Sequence, residues 1–349
     1  MKKSFLAICA ALTALASCTQ SELENKVDPK QPVEIKLNST AVSIDPASRS
    51  PFEGSIGAPN SLTAMVIATP SVSKNYASAY VSGNMTFTDQ TTKVSFNSGY
   101  TGNNYYPSDD SELTLAGLYP ATGWTMNTSN AFYTITGCED LMLAKEVTSK
   151  KSLDLAGTTP RLEFKHLLTK LDITFKAEDA TAATAWGKVN KVEIVNVEGT
   201  SRPATDITAV FATGNATLGN LVTPFACFTM SESAGTKTYT NTRYDAQAYD
   251  LTTTGAYQAY SMIAPLNLAS GRGTADITFR IYAQGAPQQG GVKYIDVPVS
   301  LRNTANAQFT GSTAGKYFTI SMLFKAKSIQ AIATVTDWQN GGSANPEIQ

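Results

Sequence analysis

Residues 171–176 read Leu171-Asp172-Ile173-Thr174-Phe175-Lys176, three large apolar side chains alternating with three polar ones. Successive side chains of a strand point to opposite faces, so this period of two predicts a β-strand with one face in a core. The pattern recurs in both directions along the chain: Val33/Ile35/Leu37, Val94/Phe96, Leu113/Leu115/Gly117, Val192/Ile194, Ile277/Phe279/Ile281, Ile295/Val297/Val299 and Phe318/Ile320/Met322/Phe324. Residues 131–136, 141–144 and 329–335 add further short candidates. Residues 62–68 (LTAMVIA) form a near-continuous apolar run, which predicts a central strand. Pro298 cannot donate to a ladder, so its strand is expected at a sheet edge. Only residues 180–185 (ATAATA) suggest a short helix or linker, and the domain boundary is drawn there.

Composition agrees with a β-rich chain. Thr is the commonest polar residue, with 45 among 349, and its branched side chain suits a half-exposed strand. Charged residues make up 16%, against a usual value of about 25%. A net charge of −1 without long basic blocks shows no nucleic-acid stripe, and no nucleic-acid partner is expected. The length fits two domains, and many short strands with little helix predict an all-β chain of two β-sandwiches in tandem.

The N-terminus carries an export signature. Lys2 and Lys3 precede the 11-residue apolar run of 5–15, which is too short to span a bilayer and reads as a signal peptide. It ends in Leu15-Ala16-Ser17-Cys18, similar to a bacterial lipobox, so residues 1–17 are expected to be removed and Cys18 lipidated. Acyl chains there would anchor the protein to the outer membrane without a spanning helix. Residues 18–32 read as a polar tether. After Val33, Ile35 and Leu37 a polar break at 38–40 shifts the alternation to Val42 and Ile44. Asp45-Pro46 stops this strand, and Arg49 sits in an exposed turn between Ser48 and Pro51. A strand held only by flexible links is one that another chain's strand can replace.

Little in the sequence points to catalysis. His166, the single histidine, is flanked by apolar residues and reads as structural. No metal, phosphate-loop or redox motif occurs, and no enzyme activity, cofactor or metal is expected. Cys138 and Cys227 are expected as buried free thiols. The aromatic run Tyr100–Tyr106 and Trp124 could stack on a sugar, although packing at a sandwich rim is the simpler role.

Several motifs together resemble the fimbrillin, or type V pilin, family of Bacteroidales surface lipoproteins. They are the Cys18 lipobox, the Arg49 turn, Tyr105-Tyr106-Pro107, the 113–120 segment through Gly117-Leu118-Tyr119-Pro120, and Asp140-Leu141-Met142-Leu143-Ala144. Phe164-Lys165-His166-Leu167-Leu168-Thr169-Lys170-Leu171, Gly315-Lys316-Tyr317 and Val335-Thr336-Asp337-Trp338 complete the set. The resemblance implies two transthyretin-like β-sandwich domains, over 50–178 and 186–349. It also implies a removable strand over 33–49, carrying Val33, Ile35, Leu37, Val42 and Ile44, released when a trypsin-like protease cuts after Arg49. Other fimbrial subunits would then be the partners, through donor-strand exchange at the cell surface, with a host or bacterial surface ligand as a further partner. The alternative is a monomeric, lipid-anchored surface glycan-binding protein.

Overall fold

The computed structural model describes residues 31–41, 56, 61–198, 203–222, 224–233, 236–255, 258–273, 275–326 and 328–337. Cys18, Val42, Ile44 and Arg49 lie outside the described residues. The regular structure of the described residues is almost entirely β-strand, with short α-helices at Lys151–Leu155 and Ala180–Trp186.

A six-stranded sheet runs in the order Asn38–Ala41, Arg161–His166, Met142–Ser149, Leu113–Tyr119, Leu62–Pro70, Val81–Phe87. Its neighbours are antiparallel except the first pair, which is parallel. Both faces of this sheet are covered. Leu62, Ala64, Val66, Ala68, Leu113 and Leu115 enter one core with Val33, Ile35, Leu37 and Phe164. Ile67, Ala116, Leu118 and Leu143 enter a second core, otherwise built from the remaining sheets. Two-sided burial accounts for the near-continuous apolar run at 62–68, whose one polar residue, Thr63, is half-buried and bonds Thr86.

The second core lies among three further sheets. A seven-stranded one has the order Thr236–Arg243, Phe228–Ser233, Gln258–Ile263, Thr169–Ala177, Lys316–Lys325, Ser328–Asp337, Leu301–Arg302. A five-stranded sheet centres on Lys188–Val197 and Ile277–Ala283, with Ile295–Val299 and its Pro298 at one edge. A four-stranded sheet pairs Asp206–Val210 with Asn130–Thr134 and is closed by Asn215–Leu218 and Thr125–Met126.

Two expectations change in detail. Val94 and Phe96 alternate in sequence, but they make only isolated bridges, to Leu37 and Met85. The Thr169–Ala177 strand, assigned to 50–178, is hydrogen-bonded on both sides to strands of the C-terminal half, Gln258–Ile263 and Lys316–Lys325. By these pairings it belongs with them, because strand partners are chosen across the fold and not by proximity in sequence.

The Ala180–Trp186 helix forms where the sequence provides both ends. Asp179 caps it by accepting from the Ala182 amide at 2.7 Å, and Gly187 (φ +63°) ends it in the left-handed region. Ala182 and Trp186 face the core, and the Trp186 indole donates to the Lys325 carbonyl at 2.6 Å. Gly285 packs directly on this helix end: a Cβ there would collide with the Ala185 carbonyl oxygen and lie 2.7 Å from Trp186 Cα. Backbone cannot yield as a side chain can. Gly285→Ala is therefore expected to cost about 1–3 kcal/mol, seen as a lower thermal midpoint; an unchanged midpoint would contradict this packing.

Candidate functional site

The N-terminal segment 33–41 is seated like a core strand, yet its two halves are held by different neighbours. Val33, Ile35 and Leu37 are buried, Ile35 and Leu37 completely. Glu34 and Lys36 take the opposite side and pair with each other at 3.5 Å, an exposed contact of little energetic weight. Along residues 33–37 the backbone bonds run to an irregular segment: Tyr106 N–H to Val33 O at 2.9 Å, Ile35 N–H to Asn104 O at 2.8 Å, and a reciprocal Leu37/Val94 pair at 3.1 and 3.0 Å. The Asn104 side-chain amide also donates to Glu34 at 3.1 Å. At Asn38 the chain changes partner, donating to Pro160 O at 3.1 Å and then running parallel to Arg161–Phe164. The polar break at 38–40 is this crossover.

The crossover is imperfectly satisfied. Ser39 is fully buried, and Ser39 Oγ and Asn38 Oδ1 have no hydrogen-bond partner among the described residues. A buried polar atom left unpaired costs about 1–3 kcal/mol. The segment thus combines three apolar anchors with two polar liabilities. The surrounding core includes Met85, Phe87, Phe96, Tyr106, Leu162 and Phe164. Tyr106 donates to Ser149 Oγ at 3.1 Å, and burial pushes its hydroxyl pKa up to about 12, partly offset by that hydrogen bond.

At the other end of the chain, Ser328–Asp337 pairs over its whole length with Lys316–Lys325. On its outer side it pairs with only two residues, Leu301 and Arg302. Ala333 and Val335 point into the core. The last described strand is therefore both a core strand and nearly an edge.

The remaining candidates are packed as structural groups. His166 Nδ1 lies 2.9 Å from Asp140 Oδ1, both side chains buried. The Trp124 indole donates to Pro120 O at 2.9 Å and meets Tyr133 edge-on at 5.0 Å. Cys138 and Cys227 are buried free thiols, and burial raises the Cys227 pKa. Among the described residues no cluster of His, Cys, Asp or Glu is arranged to hold a metal.

One cluster escaped the sequence reading. Lys170 Nζ is fully buried and donates to Tyr239 OH at 2.5 Å, with the Tyr239 ring 4.0 Å below it. Tyr239 OH and Lys237 Nζ both donate to Asp172 Oδ2, at 2.9 and 2.8 Å. Lys237 also donates to Tyr317 OH at 2.5 Å. Burial lowers the Lys170 pKa to about 7. The available signal was Lys170 and Asp172 at i and i+2, which must share a strand face.

The family model described as fimbrillin-like matches residues 60–338. A candidate cell adhesion protein from Bacteroides uniformis is 20% identical, with a TM-score of 0.51 and coverage of 88% of this chain and 99% of that one. Another, from Bacteroides ovatus, is 14% identical with a TM-score of 0.53, covering 90% and 100%. At these identities the likeness is one of fold. No curated protein sequence matches the chain.

Proposed function

This chain belongs to the fimbrillin-like family, and from that premise we propose that it is a non-enzymatic structural or adhesive subunit of a cell-surface fimbria. In this proposal the chain reaches the outer membrane as a lipoprotein through Cys18, loses residues up to Arg49 to a trypsin-like protease, and joins other subunits by donor-strand exchange. In this reading the chain forms two sandwich units, with the Thr169–Ala177 strand in the second. The observation that carries the proposal is the seating of residues 33–41. Three buried apolar side chains make the segment part of the core, while the unpaired Asn38 and Ser39 atoms leave room for a better-matched strand. A vacated groove would expose apolar surface and unpaired backbone, which an incoming strand relieves.

Hydrogen exchange on the full-length protein tests the seating. Amides of Ile35 and Leu37 are expected to be protected before cleavage and lost with the released segment after it. Fast exchange across 33–37 in the uncut chain would reduce the segment to a linker and remove the basis of the proposal.

The membrane step has its own test. Cys18→Ser is expected to abolish incorporation of a fatty-acid probe and leave the protein uncleaved or unanchored. Undiminished labelling of that variant would overturn lipidation at Cys18.

A further inference from the structure

The segment that holds residues 33–37 also builds a second feature. Residues 94–106 pair with Leu37 at Val94 and with Val33 and Ile35 at Tyr106 and Asn104. Between those contacts the chain loops outward over the Val81–Phe87 strand. Phe96 bridges Met85, Asn97 N–H donates to Asn84 O at 2.8 Å, and Tyr100 N–H closes a turn on Asn97 O at 3.1 Å. Gly99 (φ +92°) occupies the turn position that requires a left-handed residue. The result is an open cleft of about 430 Å³ lined by Gly83, Asn84, Asn97, Ser98 and Tyr100.

Its construction is specific. The Tyr100 ring stacks on Phe96, with centroids 4.7 Å apart and planes 21° from parallel. It lies so close to the strand that a Cβ on Gly83 would be 2.6 Å from Tyr100 Cε2 and 2.9 Å from Phe96 Cδ1. Glycine at 83 is what lets the aromatic wall seat. Around that wall stand two side-chain amides and one hydroxyl, and no ionisable group other than the phenol. Among the described residues no hydrogen bond engages the side-chain amide of Asn84 or Asn97, whose bonds are made by backbone alone. An amide offers donors and acceptors together, the set that matches the hydroxyls of a neutral ligand. A few placed polar groups beside an aromatic side chain can fix a ligand's orientation, and the volume lies within the range of small-molecule sites.

We propose that this cleft binds a neutral saccharide, with Tyr100 supplying the aromatic wall and Asn84, Asn97 and Ser98 the hydrogen bonds. Because one loop carries both the cleft and the partners of residues 33–37, ligand and N-terminal segment stabilise each other, and linkage makes that effect reciprocal. The cleft is complete in the uncut chain, so its binding can be measured before any cleavage or assembly.

The test uses the full-length protein and a panel of neutral oligosaccharides built from glucose, galactose, mannose and N-acetylglucosamine. Binding of at least one is expected, weakened tenfold or more by Asn97→Ala and by Tyr100→Ala. Gly83→Val, which pushes the ring outward without removing it, is expected to do the same. Circular dichroism on each variant separates lost binding from lost fold, and the half-exposed Asn84→Ala provides a mild further variant. The bound sugar should also slow amide exchange at residues 33–37. No binding by any panel member, or binding unchanged in folded Asn97, Asn84 and Tyr100 variants, would overturn the site. Binding without slower exchange at 33–37 would overturn the linkage. Loss of polymerisation alone would leave these results untouched, so the two proposals fail separately.

Discussion

Limited trypsin treatment is expected to convert the full-length monomer into a ladder of oligomers, and Arg49→Ala to abolish that conversion. Val33, Ile35 and Leu37 are three buried anchors. At roughly 1.5–3 kcal/mol each they contribute on the order of 5–9 kcal/mol before ordering entropy is subtracted. While the chain is continuous, the segment rebinds as part of the same molecule at high effective concentration. A cut after Arg49 ends that advantage, and the penalty at Asn38 and Ser39 then favours replacement. Lys26, Lys30 and Lys36 compete as tryptic sites, but the first two leave the segment attached and Lys36 lies within it, half-buried. Intact mass and a gel ladder give the readout. Loss of residues up to 49 in the Arg49→Ala protein, or equal polymerisation of both proteins, would refute the mechanism.

Stability is expected to rise between about pH 7 and pH 10 and to fall again above it, an unusual profile traceable to Lys170. Burial lowers its folded pKa to about 7 from 10.5, with Asp172 opposing and Lys237 reinforcing the shift. Between those two values the unfolded chain holds a proton that the folded chain has released, so the folded state gains as pH rises. The slope is up to about 1.4 kcal/mol per pH unit for one group. The other groups facing Lys170 act in the opposite sense at higher pH. Burial raises the pKa of Tyr239, and that of Tyr317 to about 12. Lys237 is raised by the neighbouring Asp172 and Tyr317, against the effect of its burial. All three keep protons when folded that the unfolded chain loses above about pH 10, so stability declines there. Denaturant midpoints from pH 6 to 11 test this, with Lys170→Met expected to flatten the rise between pH 7 and 9. An equally steep rise in that variant would remove Lys170 as its source. Asp172→Ala leaves Lys237 and Tyr239 without their shared acceptor and is expected to cost about 3–5 kcal/mol at neutral pH.

What the amino-acid sequence determined by itself was local. Alternation at 171–175, 277–281 and 318–324 established strands with one apolar face, and the run at 62–68 marked a strand buried on both. Asp179 before an alanine-rich stretch fixed the one helix that packs into the large core. Val33, Ile35 and Leu37 announced their burial by the same period of two. The Thr-rich hairpin of Phe228–Ser233 and Thr236–Arg243 stayed hidden, because Thr is at home on either face and erases the contrast that periodicity needs. Tertiary structure alone decided the pairings. It joined the Thr169–Ala177 strand to partners some 90 and 150 residues away, and it set residues 33–37 against 94–106 before passing the chain to Arg161–Phe164. It also buried Lys170, whose charge the sequence would leave in water. Strand formation depends on neighbours a few residues apart, whereas register and partner depend on which apolar faces can close one core together, and no local window contains that choice.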